Sequence, residues 1–285
     1  MPKPPRILLT AFISLIALLC GCRTIVISDP PPPIPPSRWI LTWSDEFSGP
    51  DASSPDPSKW THDLGGKGWG NHELESYTHR KENARIEKGD LVITARKETY
   101  TGADGITRDY TSARLKTQGL FVQTYGRFEA RIKIPEGQGM WPAFWMLGED
   151  IPTVGWPKCG EIDIMENVGK EPGTIHGSLH GPSAVGPTSD LTSIFKVPVA
   201  QSFAKDFHLY AVEWEPGMVR FYVDSSLYAT FNSSQWPVGG MWVFDHPFFI
   251  ILNLAVGGDW PGRPDASIRF PQSMLVDYVR VYTKR

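Results

Sequence analysis

From Arg38 onward the chain alternates apolar and polar residues in short segments that glycine and proline separate. Residues 125–135 alternate strictly, and residues 208–224 predict two strands joined at Glu215-Pro216-Gly217. Residues 277–285 predict a last strand. Helical periodicity is nearly absent, and 27 Gly with 26 Pro disfavour a helical bundle because both residues interrupt helices. The sequence therefore predicts an all-β fold, a sandwich or jelly roll of two antiparallel sheets.

The N-terminal segment is typical of an export signal. Lys3 and Arg6 precede an apolar run over residues 7–20, which is shorter than the ~20 residues of a membrane span. The sequence LCGC that ends at Cys22 resembles a bacterial lipobox, in which Cys22 would carry the lipid. We expect residues 1–22 to be a signal peptide, with anchoring at Cys22 to a periplasmic or cell-surface membrane. Plain secretion after ordinary cleavage is the alternative.

The proline-rich residues 23–37 predict a stiff, extended linker. Residues 38–285 contain no internal repeat and no second linker, so we expect a single domain and a monomer. The only cysteine of that domain, Cys159, is expected to be a buried small side chain rather than a nucleophile. A net charge of −3 leaves no basic surface large enough to predict a nucleic-acid partner.

The sharpest local feature is the segment GEIDIMEN, which places Glu161, Asp163 and Glu166 within six residues. A helix at ~100° per residue would put the first two acids on opposite sides, whereas a strand puts them on one face with Ile162 and Ile164 pointing into the core. Glu166 would then lie on the wrong face by one residue. A single β-bulge near residues 164–165 would return it to the face of the other two acids.

Three carboxylates on one strand face repel one another, which argues against a purely structural role for them. A solvated edge strand and a site for a hard cation are the alternatives. The large apolar residues between the acids favour an internal strand. Paired carboxylates suit glycoside hydrolysis, in which one acts as nucleophile and the other protonates the leaving oxygen and later deprotonates water.

The eleven tryptophans are more than one core needs, and indole faces are surfaces on which sugar rings stack. Trp43, Trp214 and Trp242 lie in apolar strand patterns and are expected in the core. Trp156 and Trp260 lie in loops rich in glycine and proline, where a large exposed ring indicates a ligand. The tryptophans therefore point to a carbohydrate partner.

These residues resemble the E-x-D-x-x-E motif of glycoside hydrolase family 16, in its bulged laminarinase-type form. The resemblance extends from about Trp43 to Tyr282. It includes the segments WSDEF, GWGNHELESYT, GRFEARIKIP, GMWPAFWMLG, HGSLHGP, LNLAVGGDWPG and VDYVRVY. It implies a concanavalin-like jelly roll, with residues 38–285 as the catalytic domain.

The resemblance implies roles for individual residues. Glu161 would be the nucleophile, Glu166 the acid/base, and Asp163 would hydrogen-bond the nucleophile in a retaining mechanism that needs no cofactor. His180 would contact substrate or the carboxylates, although His176, four residues earlier, is the alternative assignment. The implied substrate-binding residues are Asn71, Glu75, Arg114, Trp141, Trp145, Trp156, His180, Asn253 and Trp260. The family pattern has a second Asn where His72 stands, so that subsite is expected to differ.

Glu46, Gly89 and Asp277 match positions at which many relatives bind a structural calcium ion, away from the catalytic face. Two carboxylates with backbone carbonyls and water would form an oxygen shell suited to calcium. Capping of strand ends explains the same residues equally well. The expected calcium is therefore structural and plays no part in the reaction.

The bulged motif favours an endo-acting hydrolase of β-1,3-linked glucan, with β-glucan polysaccharide as the partner. The alternative within the class is a mixed-linkage β-1,3-1,4-glucanase, whose typical members carry the shorter E-x-D-x-E. A glucan-binding lectin on the same fold is a third reading. The presence of all three acids weighs against it.

Overall fold

The computed structural model describes residues 39–198 and 201–285. The predicted signal peptide, residues 1–22, and the predicted linker, residues 23–37, lie outside the described residues. Within the described ranges, no helix is both long enough and apolar enough to cross a membrane.

Strands dominate the described part of the chain, as the period-two alternation predicts. The strands are β1 (Trp39–Asp45), β2 (Thr61–Asp63), β3 (Glu75–Tyr77), β4 (Ala84–Glu87), β5 (Asp90–Thr101), β6 (Thr107–Ser112), β7 (Arg114–Lys116), β8 (Gly126–Lys133), β9 (Met140–Gly148), β10 (Glu161–Glu166), β11 (Thr174–Gly181), β12 (Ser189–Lys196), β13 (His208–Glu215), β14 (Met218–Val223), β15 (Ser226–Asn232), β16 (Phe248–Val256) and β17 (Gln272–Lys284). Helical turns are confined to the four-residue helix α1 (Ile151–Val154) and a 3-10 turn (Ser233–Gln235) in these described ranges.

The strands form two sheets. One has ten strands, in the order β15-β14-β13-β8-β17-β5-β6-β3, with β1 paired to β17 and β4 paired to β5. The other has seven strands, in the order β12-β11-β10-β9-β16-β7-β2. All pairings are antiparallel except the short β3–β6 pair, which is parallel. The predicted fold of two antiparallel sheets is confirmed, as is the hairpin between β13 and β14.

The core lies between the inner faces of the two sheets. On β8, Phe128 and Ile132 are fully buried, and on β9 Phe144 belongs to the same apolar cluster. The core prediction is confirmed for Trp214, which is fully buried, whereas Trp43 and Trp242 are partly buried against the cluster. Cys159 is also fully buried, with a free thiol, as expected.

The outer face of the seven-stranded sheet is free to bind a ligand. Alternation within the strands decides which side chains reach it, because neighbouring residues of a strand point to opposite faces. On β9, Met140 and Phe144 enter the core, while Trp141 and Trp145 face outward into a cleft. The spacing of four residues therefore places both tryptophans on one face.

Candidate active site

The three acids of β10 reach the cleft because the strand is bulged. Along the pairing with β11, Asp163 is opposite Ser178, and the next pair is Glu166 with His176. Three residues on β10 therefore match two on β11, and the pairing with β9 shifts at the same point. The predicted bulge is confirmed.

The bulge keeps the apolar residues of the motif inside. Ile162, Ile164 and Met165 are buried in the core, and the three carboxylates line the outer face. One extra residue in the strand thus allows the apolar side chains to face the core and all three carboxylates to face outward. A flat strand would have turned Glu166 into the core.

The cleft has a volume of about 680 Å³. Eight of the nine predicted substrate-binding residues line it together with the three acids. Those eight are Asn71, Arg114, Trp141, Trp145, Trp156, His180, Asn253 and Trp260. They come from loops at both ends of the cleft and from β7, β9, β11 and β16, so the sheet register brings together residues that are far apart in the sequence.

Each of the two glutamates accepts a hydrogen bond from an indole. Trp156 Nε1 donates to Glu161 Oε2 at 2.7 Å, and Trp141 Nε1 donates to Glu166 Oε1 at 3.0 Å. The indole rings therefore orient the carboxylates as well as offering faces to a sugar. This second role of the tryptophans is not visible in the sequence pattern.

His180 lies between two carboxylates. Its Nε2 is 3.0 Å from Asp163 Oδ2, and its Nδ1 is 2.6 Å from Asp190 Oδ1. Burial lowers the pKa of His180, but the charges of Asp163, Glu161 and Asp190 outweigh it and raise the pKa to about 11. His180 is therefore a cation at the centre of the acidic cluster. Of the two histidines considered, His180 is the one in contact with these carboxylates.

Burial raises the pKa of all three acids above the ordinary values. For Glu161, Asp163 adds to the increase, while the His180 charge and the Trp156 indole oppose it. For Glu166, burial and the charge of Glu161 raise the pKa to about 7. A carboxyl with such a pKa can give up a proton near neutral pH, which suits a general acid.

A chain of hydrogen bonds forms the opposite wall of the cleft. Trp145 Nε1 donates to Asn253 Oδ1 at 2.7 Å, and Asn253 Nδ2 donates to the Tyr77 hydroxyl at 3.1 Å. Tyr77 in turn donates to Glu73 Oε2 at 3.0 Å. The guanidinium of Arg114 lies 4.6 Å from the ring centroid of Trp145. This wall presents fixed hydrogen-bonding groups beside a flat aromatic face.

The prediction that Glu75 binds substrate is corrected by the structure. Glu75 is fully buried and does not line the cleft; its Oε2 accepts a hydrogen bond from the Val256 backbone N–H at 2.7 Å. Glu73, two residues earlier, takes the place at the cleft. The reason is the preceding loop, in which Trp69 and His72 adopt positive φ angles of 48° and 54°, so strand periodicity does not extend through it.

The cleft residues that the sequence analysis did not assign to substrate or catalysis include Trp69, Glu73, His176 and Asp190. The His176 ring packs edge-on against Trp260 with 4.8 Å between centroids, and Trp260 packs edge-on against Trp141 at 5.5 Å. Because His176 and His180 are four residues apart on one strand, alternation places them on the same face and could have indicated that His176 lines the cleft. Only the three-dimensional register identifies Asp190.

The residues expected at a calcium site lie on the ten-stranded sheet and its turns, away from the cleft. Arg280 donates to both carboxylate oxygens of Glu46, at 2.9 and 2.8 Å, and Arg131 donates to Asp277 at 2.7 Å. Gly89 lies in the turn between β4 and β5. A calcium ion would have to displace both guanidinium groups. The calcium site therefore stays a prediction, which a titration with calcium would test.

In the described part of the chain, one group of three side chains has the compactness of a metal site. Ligand atoms of Glu161, Asp163 and His180 lie within 4.8 Å of one another. His180 Nε2 forms an ion pair with Asp163 Oδ2, and Glu161 Oε2 accepts a hydrogen bond from the Trp156 indole. We therefore assign this group to hydrogen bonding and proton control.

The sequence and the fold match known carbohydrate-cleaving proteins. The family model "Glycosyl hydrolases family 16" matches residues 71–280. The "Beta-glucanase" of Rhodothermus marinus is 46% identical over 288 residues, covering 96% of this chain and 93% of that protein.

Solved structures agree with these sequence matches. The endo-beta-1,3-glucanase from Pyrococcus furiosus is 49% identical with a TM-score of 0.80, covering 87% of this chain and 95% of that chain. A non-specific endo-beta-1,3(4)-glucanase, co-crystallised with 1,3-beta-D-cellotriosyl-glucose, is 41% identical with a TM-score of 0.78, covering 87% of this chain and 96% of that chain.

Proposed function

This chain belongs to family 16 of the glycosyl hydrolases, and from that premise we propose that it hydrolyses β-1,3-linked glucan within the polymer, with retention of anomeric configuration. The chain is thus a glycoside hydrolase. Its relatives include a beta-glucanase and an endo-beta-1,3-glucanase, which supports the choice of polymer.

One observation carries the proposed chemistry: the bulge on β10 brings Glu161 and Glu166 to the same side of the sheet, on the floor of an aromatic cleft. A retaining glycosidase needs two carboxyl groups on either side of the scissile bond, about 5–5.5 Å apart. A lectin on this fold would need the aromatic rings alone. The paired acids therefore support hydrolysis.

In the first step, a carboxylate oxygen of Glu161 attacks the anomeric carbon. The bond from that carbon to the glycosidic oxygen breaks, and the proton of Glu166 passes to the leaving oxygen. In the second step, Glu166 removes a proton from water, the water oxygen attacks the anomeric carbon, and the bond to Glu161 breaks. Both carboxyls return to their starting states, so the reaction consumes one water molecule and no cofactor.

The family motif, and not the pKa values, carries this division of roles, because burial and Asp163 raise the pKa of Glu161 to about 8 while burial and Glu161 raise that of Glu166 to about 7. Glu166 has a pKa of about 7, raised by burial and by Glu161, so it can hold a proton until the leaving oxygen needs it. Glu161 must be ionised to attack, and the His180 charge together with the Trp156 indole favours the ionised form. Asp163 contacts His180 and lies beside Glu161, linking the cation to the nucleophile.

A mixed-linkage β-1,3-1,4-glucanase is the second candidate. The similarity to a non-specific endo-beta-1,3(4)-glucanase supports it.

The test is a side-by-side assay on laminarin, barley glucan, lichenan, agarose and carrageenan, with product sizes followed over time. We expect rapid hydrolysis of laminarin with a ladder of intermediate oligosaccharides. NMR of the first product should show the β-anomer. Comparable rates on lichenan would establish the mixed-linkage alternative, and an initially inverted product would exclude the double displacement.

A further inference from the structure

The register of the seven-stranded sheet aligns a row of side chains across the cleft floor. Glu161 on β10 is directly opposite His180 on β11, and His180 is directly opposite Asp190 on β12. Directly opposed residues on one face of an antiparallel pair have their Cβ atoms about 4.5–5.5 Å apart. The position of Asp190 beside His180 is therefore set by strand pairing rather than by a loop.

Both nitrogens of the His180 ring face carboxylates. Nδ1 lies 2.6 Å from Asp190 Oδ1, and Nε2 lies 3.0 Å from Asp163 Oδ2. A neutral imidazole has a single N–H, so only the doubly protonated ring can donate to both. The other oxygen of Asp190 accepts from the Thr188 hydroxyl at 3.3 Å, which orients the carboxylate.

The charged groups that face His180 are all acidic. Asp163 and Glu161 face it from β10, and Asp190 faces it from β12. On the same face of β11, His176 interacts with Trp260 instead. The His180 charge in turn lowers the pKa of Glu161, Asp163 and Glu166 against the effect of burial. The ionisation of the nucleophile therefore depends on the protonation of His180, whose Nδ1 contacts Asp190.

We propose that Asp190 is a positioning residue for the hydrolytic reaction: by accepting the Nδ1–H of His180, it holds the ring with Nε2 3.0 Å from Asp163 Oδ2, beside the nucleophile. This inference rests on the proposed function and deepens it. Asp190 acts through His180 and not on the sugar. The sequence motif shared by the three acids does not include it.

Two substitutions test the negative charge of Asp190 separately from the hydrogen-bond acceptor that its side chain provides. Asp190→Asn keeps the size of the side chain but removes the negative charge, and Asp190→Ala removes the acceptor as well. Loss of a hydrogen bond to a charged group predicts that kcat on laminarin falls about 10-fold to 100-fold, with KM nearly unchanged. The alanine variant should show the larger fall.

A matched control exists elsewhere in the chain. Asp224 Oδ2 contacts His208 Nδ1 at 3.0 Å, outside the cleft. Asp224→Asn removes the same type of carboxylate–imidazole pair and should leave kcat unchanged. Melting temperatures of all three variants show whether any fall in activity reflects unfolding.

The protonation of His180 provides a measurement that needs no substrate. With ¹⁵N-labelled histidine, NMR of the wild-type protein should show both ring nitrogens of His180 protonated at pH 8, and His180→Gln assigns the signal. In Asp190→Asn the titration of His180 should move to lower pH. The control Asp224→Asn should not move it.

Unchanged kcat together with an unchanged His180 titration in Asp190→Asn would overturn the proposal. A rise in KM with kcat unchanged would also overturn it, because that result indicates direct contact between Asp190 and the sugar. If the wild-type protein hydrolysed none of the glucans, the proposed function would fail. The NMR titration would still decide whether Asp190 controls His180.

Discussion

Two groups of carboxyls with raised pKa values differ in their partners. The first is the catalytic group on β10, Glu161, Asp163 and Glu166; the second is the pair Glu73 and Glu75 at the opposite wall. Burial is the largest cause of the raised pKa in every one of these five residues. Burial alone therefore does not distinguish a reactive carboxyl from a structural one.

The difference lies in what each group faces. The three acids of the catalytic group line the cleft beside the cation His180, so their carboxyl groups can exchange protons with substrate and water. In the pair, Glu75 is fully buried behind Glu73, and the charge of Glu73 raises the pKa of Glu75 further. The neutral form of Glu75 is therefore favoured, while Glu73 reaches the cleft near Arg114. The two groups therefore differ in that three acids line the cleft around His180 in the first, whereas only Glu73 of the second reaches the cleft.

Removal of the nucleophile should have the largest effect. We expect Glu161→Ala to lower kcat/KM on laminarin by about 10⁴-fold or more, because the covalent intermediate cannot form. The fold and the binding of oligosaccharides, measured by calorimetry, should persist. Glu82→Ala, which removes an exposed carboxylate outside the cleft, is the control. Turnover close to that of the wild type would end the assignment of Glu161.

Removal of the general acid should have the next largest effect. Glu166→Gln should lower kcat/KM by about 10²- to 10⁴-fold on laminarin. Substrates with a leaving group that needs no proton should lose much less in the first step. Equal losses on both kinds of substrate would contradict the role of Glu166.

The same variant tests the pH dependence. The acid must be protonated at the start of the reaction, so activity of the wild type should fall as pH rises through about 7, the pKa to which burial and Glu161 raise Glu166. In Glu166→Gln this alkaline decrease should disappear. An unchanged alkaline decrease would assign it to another group.

The two groups also differ in how well the positions of their side chains could be predicted from the sequence. The bulge on β10 was predictable because the apolar residues of the motif must stay inside while three acids share the other face. The outward position of Trp141 and Trp145 follows from the same alternation. In regular strands, the alternation of side chains between the two faces is sufficient to predict which of them share a face.

The opposite wall was not predictable in this way. Glu73 and Glu75 have one residue between them, yet only Glu73 reaches the cleft, because the loop before β3 turns through positive φ angles at Trp69 and His72. Asp190 gave no signal either, since an acidic residue on the edge strand β12 is typical of a solvated surface. Its partner His180 is known only from the pairing of β11 with β12.

A smaller effect is expected at the open member of the pair. Glu73→Gln should lower kcat/KM on laminarin about 10-fold, mainly through KM, because a charged hydrogen-bond acceptor at the cleft wall becomes neutral. The pH dependence of kcat should stay that of the wild type. A loss of the alkaline decrease in this variant would place Glu73 among the proton-transferring groups and remove the distinction between the two clusters.

The smallest effect is expected at the buried member, and it concerns stability. Burial and the charge of Glu73 raise the pKa of Glu75 well above its ordinary value, which favours the neutral carboxyl in the folded protein, whereas the unfolded chain ionises it at neutral pH. The stability that a neutral Glu75 allows is fully present below the unfolded pKa and is lost as pH rises toward the folded pKa. Gln cannot ionise, and it can accept from the Val256 N–H while donating to Glu73.

Glu75→Gln should therefore raise Tm at pH 8 by about 2–4 °C, which corresponds to ~1 kcal/mol for a domain of this size, and leave Tm unchanged at pH 4. The kinetic constants on laminarin should stay within about twofold of the wild type, since Glu75 does not line the cleft. Thermal unfolding at the two pH values measures the first effect. A fall in Tm at pH 8 would mean that Glu75 is ionised in the fold and that the two clusters differ less than their surroundings indicate.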